Sequence, residues 1–66
     1  MKRREFERHL RENRCVFAKE GARHTIFVNS KNGKVAAVPR HTELKKELVR
    51  RVCRDLEIPD PFSAKP

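Results

Sequence analysis

The spacing of the apolar residues changes twice along this chain, and each change limits what the next segment can become. Phe6 and Leu10 stand four apart in a stretch otherwise rich in arginine and glutamate, the narrow stripe of a surface helix over residues 2–14. Within it Glu7 and Arg11 are spaced to pair across one turn, Asn13 is a left-handed closing residue, and His9 falls on the flank. From Cys15 the period is two. Cys15-Val16-Phe17-Ala18 runs into a turn at Lys19-Glu20-Gly21, and His24, Ile26 and Val28 then alternate with Thr25, Phe27 and Asn29. Asn32-Gly33 is a strong hairpin signal, and Lys34 to Val38 makes a third run that Pro39 ends by withdrawing a ladder donor. From Thr42 to about Glu57 the period is helical again. Leu44, Leu48, Val52 and Leu56 recur at every fourth position beside Val49 and Cys53, and Lys45, Lys46, Arg50, Arg51 and Arg54 take the other side. Thr42 is the expected N-cap, which sets Arg40 and His41 directly before the helix and offers its amides as a phosphate cradle. Ile58-Pro59-Asp60-Pro61-Phe62 stops the helix, and Ser63 to Pro66 is expected to fray.

The order α-β-β-β-α predicts an α+β fold, with a three-stranded antiparallel meander and both helices on one face. The expected core is Phe6, Leu10, Phe17, Leu48, Val52 and Leu56 with the inward strand residues. A chain of 66 residues is one domain, drawn here as 1–58 with a tail at 59–66. Domains of this size bury only about 60% of their unfolded surface, so the core is marginal. The same element order occurs in folds that bind double-stranded RNA, which read the duplex by shape and by 2′-hydroxyl and phosphate contacts. Element order alone does not establish function.

Charge narrows the choice of partner. Seventeen lysines and arginines against 9 acidic residues leave a net charge of +8, which suits a polyanion. Nucleic acid, an anionic membrane and an acidic protein all satisfy that balance. Cys15 and Cys53 have no zinc-type spacing and read as buried, reduced small hydrophobes. Met1-Lys2-Arg3-Arg4 leads straight into a helical pattern with no signal-peptide core and no membrane-spanning stretch, so a cytoplasmic protein is expected.

The stretch Lys19-Glu20-Gly21-Ala22-Arg23-His24-Thr25-Ile26 gathers a glycine, an arginine and a histidine at the mouth of a strand. Histidine moves protons near neutral pH. RNA carries its own nucleophile in the 2′-hydroxyl, so a nuclease needs only a proton acceptor there and positive charge at the phosphate. His24 fits the first role, and Arg23, Lys19 or Arg40 the second. The plainer reading of His24 is a polar strand residue with no chemical role. His41 is either a second proton carrier or a loop residue that helps start the last helix. The carboxylates are scattered among arginines rather than grouped as for Mg²⁺, which favours a metal-independent reaction without a cofactor.

Several blocks resemble the HicA (YcfA-like) toxins, the mRNA interferases of HicAB toxin–antitoxin systems. They are Cys15-Val16-Phe17, Gly21-Ala22-Arg23-His24, Asn32-Gly33-Lys34, Val38-Pro39-Arg40-His41, Glu43-Leu44-Lys45-Lys46 and Arg51-Val52-Cys53-Arg54-Asp55-Leu56. The resemblance runs from about Lys2 to Pro59. It implies a double-stranded-RNA-binding-like fold, mRNA cleavage with His24 as the catalytic histidine, and neutralisation by a HicB-type antitoxin. Lys19, Gly21, Arg23, Arg40, His41, Lys45 and Lys46 are then the expected RNA-binding set. The chain departs from the family where Asn13-Arg14 replaces a helix-closing glycine and where Arg23 replaces a small or polar residue. The alternative function is a non-catalytic RNA-binding module of the same fold. A DNA-binding helix-turn-helix is disfavoured by the three strands between the helices.

Overall fold

A computed structural model describes residues 1–62. The expected fraying of Ser63 to Pro66 lies outside the described residues. Helix α1 (Arg3–Glu12) leads into strands β1 (Cys15–Glu20), β2 (His24–Asn29) and β3 (Val35–Pro39), and helix α2 (Lys46–Leu56) follows. The strands form one antiparallel sheet in the order β1-β2-β3. The α-β-β-β-α fold is the one the sequence predicts.

Alternation along β2 sets the two layers. Thr25, Phe27 and Asn29 are buried toward the helices, while His24 is exposed and Ile26 and Val28 are half-buried on the other side. The core joins Phe6 and Leu10 of α1 to Cys15, Phe27, Ala36 and Val38 of the sheet. Leu44 and the α2 residues Val49, Val52, Cys53 and Leu56 complete it. Both cysteines are free and buried. Asn29 is tolerated inside because its amide donates to the Leu56 carbonyl at 2.8 Å and its Oδ1 accepts from the Lys31 amide at 2.9 Å.

Several local expectations are corrected. The last helix starts at Lys46, not at Thr42, and Lys45 caps it in an extended conformation without a side-chain bond. Residues 42–44 are instead paired with the chain start. The Arg3 amide donates to the Thr42 carbonyl and the Leu44 amide to the Met1 carbonyl, each at 2.8 Å. Leu44 thus reaches the core from an extended segment. Phe17 is 57% exposed rather than buried. It stands opposite Phe27 on the edge strand, just before the pairing slips between Phe17 and Lys19, beyond the cover of α1's narrow stripe. Leu48 is only partly buried, and Val49 takes the inner position. Asn13 has φ −108°, and Arg14, at φ 67°, is the left-handed residue that ends α1. Glu7 pairs back to Arg3 at 2.7 Å, because the Arg3 side chain is already tethered to the sheet.

The Asn32-Gly33 turn forms as expected. Gly33 has φ 78° and its amide donates to the Asn29 carbonyl at 2.7 Å.

Candidate active site at the β1–β2 turn

Glycine fits closely at the turn that delivers His24. The Gly21 amide donates to the His24 carbonyl at 2.7 Å, and a Cβ on Gly21 would stand 3.1 Å from that same oxygen. Ala22 and Arg23 are exposed at the tip, and His24 opens β2 opposite Pro39 of β3. Its side chain is exposed on the sheet face that carries no helix. Lys19 pairs with Ile26 across β1 and β2, so it rises from this same open face. Beyond it lies an apolar row, Val16 beside Val28 beside Val35.

Arg40 closes the turn from the β3 side. Its Nη1 donates to the Glu20 carboxylate and, at 3.2 Å each, to the carbonyls of Gly21 and His24. Its Nη2 donates to the Ala22 carbonyl at 2.7 Å. The Thr25 hydroxyl donates to Glu20 Oε1 and accepts from Arg3 Nη2, each at 3.1 Å. Arg3 also donates to the Pro39 carbonyl and, through Nε, to Glu7 at 2.7 Å. A chain of charge-assisted bonds therefore runs from α1 through the sheet to the turn.

Of the residues singled out in the sequence, Lys19, Gly21, Arg23, His24 and Arg40 gather at this turn. His41 follows Arg40 and is exposed. Lys45 and Lys46 sit at the start of α2, in the helical layer rather than on the open face, and the Lys46 ammonium lies 5.6 Å from the centre of the Phe62 ring. The cradle expected from Arg40 and His41 at a helix start is not formed, because α2 begins at Lys46. Arg3, Glu20 and Thr25 were not legible as site residues, since spacing signals neither the side-chain bond from Thr25 to Glu20 across the turn nor the reach of Arg3 from α1 to Thr25. His9 serves the fold, with its Nε2 2.7 Å from the Pro59 carbonyl and its ring stacked on Phe6.

Burial raises the Cys15 thiol and pushes Cys53 up to about 12, with the charges of Asp60 and Cys15 adding to the latter. Both thiols stay protonated near neutral pH. Among the described residues, no three His, Cys, Asp or Glu side chains gather as a metal-ligand group. No helix among them is long and apolar enough to cross a membrane.

The family model described as the HicA toxin of bacterial toxin-antitoxin matches residues 3–58. No curated protein and no solved structure matches the chain.

Proposed function

Because this chain belongs to the HicA family of bacterial toxins, whose members act opposite an antitoxin, we propose that it is an endoribonuclease that cuts mRNA with His24 as its acid-base group. The observation that carries this reading is the exposed His24 side chain on an open sheet face, at a turn flanked by Lys19 and Arg23. The imidazole takes the proton of a ribose 2′-hydroxyl, and the resulting oxygen attacks the adjacent phosphorus. Displacement of the 5′-oxygen, protonated by His41 or solvent, leaves a 2′,3′-cyclic phosphate and a 5′-hydroxyl end. Lys19 and Arg23 stabilise the charge that builds on the phosphate. The attacking group is RNA's own hydroxyl and the proton acceptor is an imidazole, so the scheme needs no metal. A HicB-type antitoxin then neutralises the toxin in the cytoplasm by covering this face.

The test uses a defined RNA, with and without chelator, beside the same oligonucleotide carrying 2′-deoxy sugars. His24→Ala is expected to lower the cleavage rate by about 10²–10⁴-fold, the usual worth of a positioned acid-base group. Its melting temperature and its affinity for the 2′-deoxy strand should match the parent, because His24 is exposed and outside the core. Cleavage at the parental rate by His24→Ala would overturn the assignment. A parent that binds RNA without cutting it would establish the non-catalytic module instead.

A further inference from the structure

We propose that Arg40 is a positioning residue, which fixes the Glu20–His24 turn and thereby holds His24 where a 2′-hydroxyl can meet it. This rests on the reading of His24 as the proton carrier. Three carbonyls of one short turn, those of Gly21, Ala22 and His24, converge on a single guanidinium. Carbonyl oxygens brought together repel one another, and a cation with a planar fork of donors offsets that repulsion. The Glu20 carboxylate takes the same nitrogen that serves Gly21 and His24. With its donors turned onto the protein and its charge matched by Glu20, Arg40 is poorly placed to grip a phosphate.

The anchoring continues inward. Thr25 holds Glu20, and Arg3 holds both Thr25 and the Pro39 carbonyl. Pro39 is the β3 partner of His24, so both strands are tied at the level of the imidazole. Arg3 is in turn bonded to Glu7 of α1. The site on a loop mouth is thus referenced to a helix, and rigid support of this kind is what a proton-transfer geometry requires. Displacement of a reacting group by about 1 Å is enough to cost about 10²-fold in rate.

Arg40→Lys keeps the net charge but replaces the fork with one ammonium that cannot span four acceptors. The expected result is a kcat lowered roughly 10- to 100-fold, with KM, affinity for the 2′-deoxy strand and its salt dependence within about twofold of the parent. Deuterium exchange at the Gly21 amide, whose bond to His24 closes the turn, should quicken in the same variant. Unchanged kcat overturns the proposal. So does a raised KM with a flatter salt dependence at intact kcat, the signature of a direct phosphate contact. Should Arg40→Lys fail to fold, Glu20→Gln replaces it, keeping every positive charge while weakening the anchor of Arg40. A several-fold fall in kcat without loss of affinity supports the proposal, and parental kcat defeats it. If His24→Ala cleaves normally, the role of His24 falls, while Gly21 exchange in Arg40→Lys still reports whether Arg40 fixes the turn.

Discussion

Cys53 and His24 show opposite ways in which position sets the chemistry of one side chain. Cys53 faces the core of α2, and burial favours its uncharged form; the Asp60 and Cys15 charges act in the same direction. The folded thiol is therefore pushed up to about 12, above the unfolded value of about 8.5. A group raised on folding contributes stability that is complete below the unfolded value and is lost as pH climbs through the folded one. The melting temperature of the parent should hold to about pH 8.5 and then fall toward pH 12, and Cys53→Val should soften that fall. A thiol reagent at pH 8 should label neither cysteine in the native protein and both in urea, since each is buried and free. His24, by contrast, is held in the open by the turn behind it. On the proposed reading its surroundings supply geometry, through the bonds that Arg40 and Gly21 make to the His24 carbonyl.

At the scale of elements, the helix ends carry the visible strain. Arg14 and Glu57 both adopt left-handed conformations, at φ 67° and 59°. For α2 the result is a Schellman closure: the Ile58 amide reaches the Cys53 carbonyl at 3.0 Å and the Glu57 amide the Arg54 carbonyl at 3.1 Å. For α1, the Arg14 carbonyl accepts from both the amide and the hydroxyl of Ser30 at 2.9 Å, which locks the turn in place. A side chain in this region costs about 1–2 kcal/mol, partly offset by the greater freedom glycine has when unfolded. Arg14→Gly should accordingly raise the unfolding free energy by about 0.5–1 kcal/mol, read as a higher urea midpoint at unchanged slope. Arg14 belongs to the Asn13-Arg14 pair that stands where the resemblance noted in the sequence implies a helix-closing glycine. The start of α2 obeys a different rule. Pairing of residues 42–44 with Met1–Arg3 satisfies backbone groups that a longer helix would otherwise have used.

Over the whole molecule, the charge of +8 is divided between holding the fold and remaining available to a polyanion. Arg3 and Arg40 are spent inside the network beneath the turn, and Arg50 bonds Asp60 at 2.9 Å, helping to fold residues 59–62 back onto α2. If four to six of the other cations meet phosphates, affinity for single-stranded RNA should fall with salt at a log–log slope of about −3 to −4. Titration of the 2′-deoxy strand across salt concentrations measures it. The sequence by itself determined the element order, the antiparallel meander, the Asn32-Gly33 turn, and the placing of His24 on one side of β2 with Ile26 and Val28. These follow from period and turn chemistry, which act within a few residues. Tertiary structure alone decided which side of β2 faces inward, because Ile26 and Val28 are as apolar a pair as the pattern offers on the other side. Thr25 and Asn29 go inside because Glu20, Arg3 and the Leu56 carbonyl meet their polar atoms there. It also decided that Leu44 is extended, since a residue in every-fourth register looks helical until the Met1 carbonyl, distant in sequence, claims its amide. Finally, it assigned Arg40 to the turn: in the sequence one arginine resembles another, and only the folded chain brings the acceptors that distinguish them.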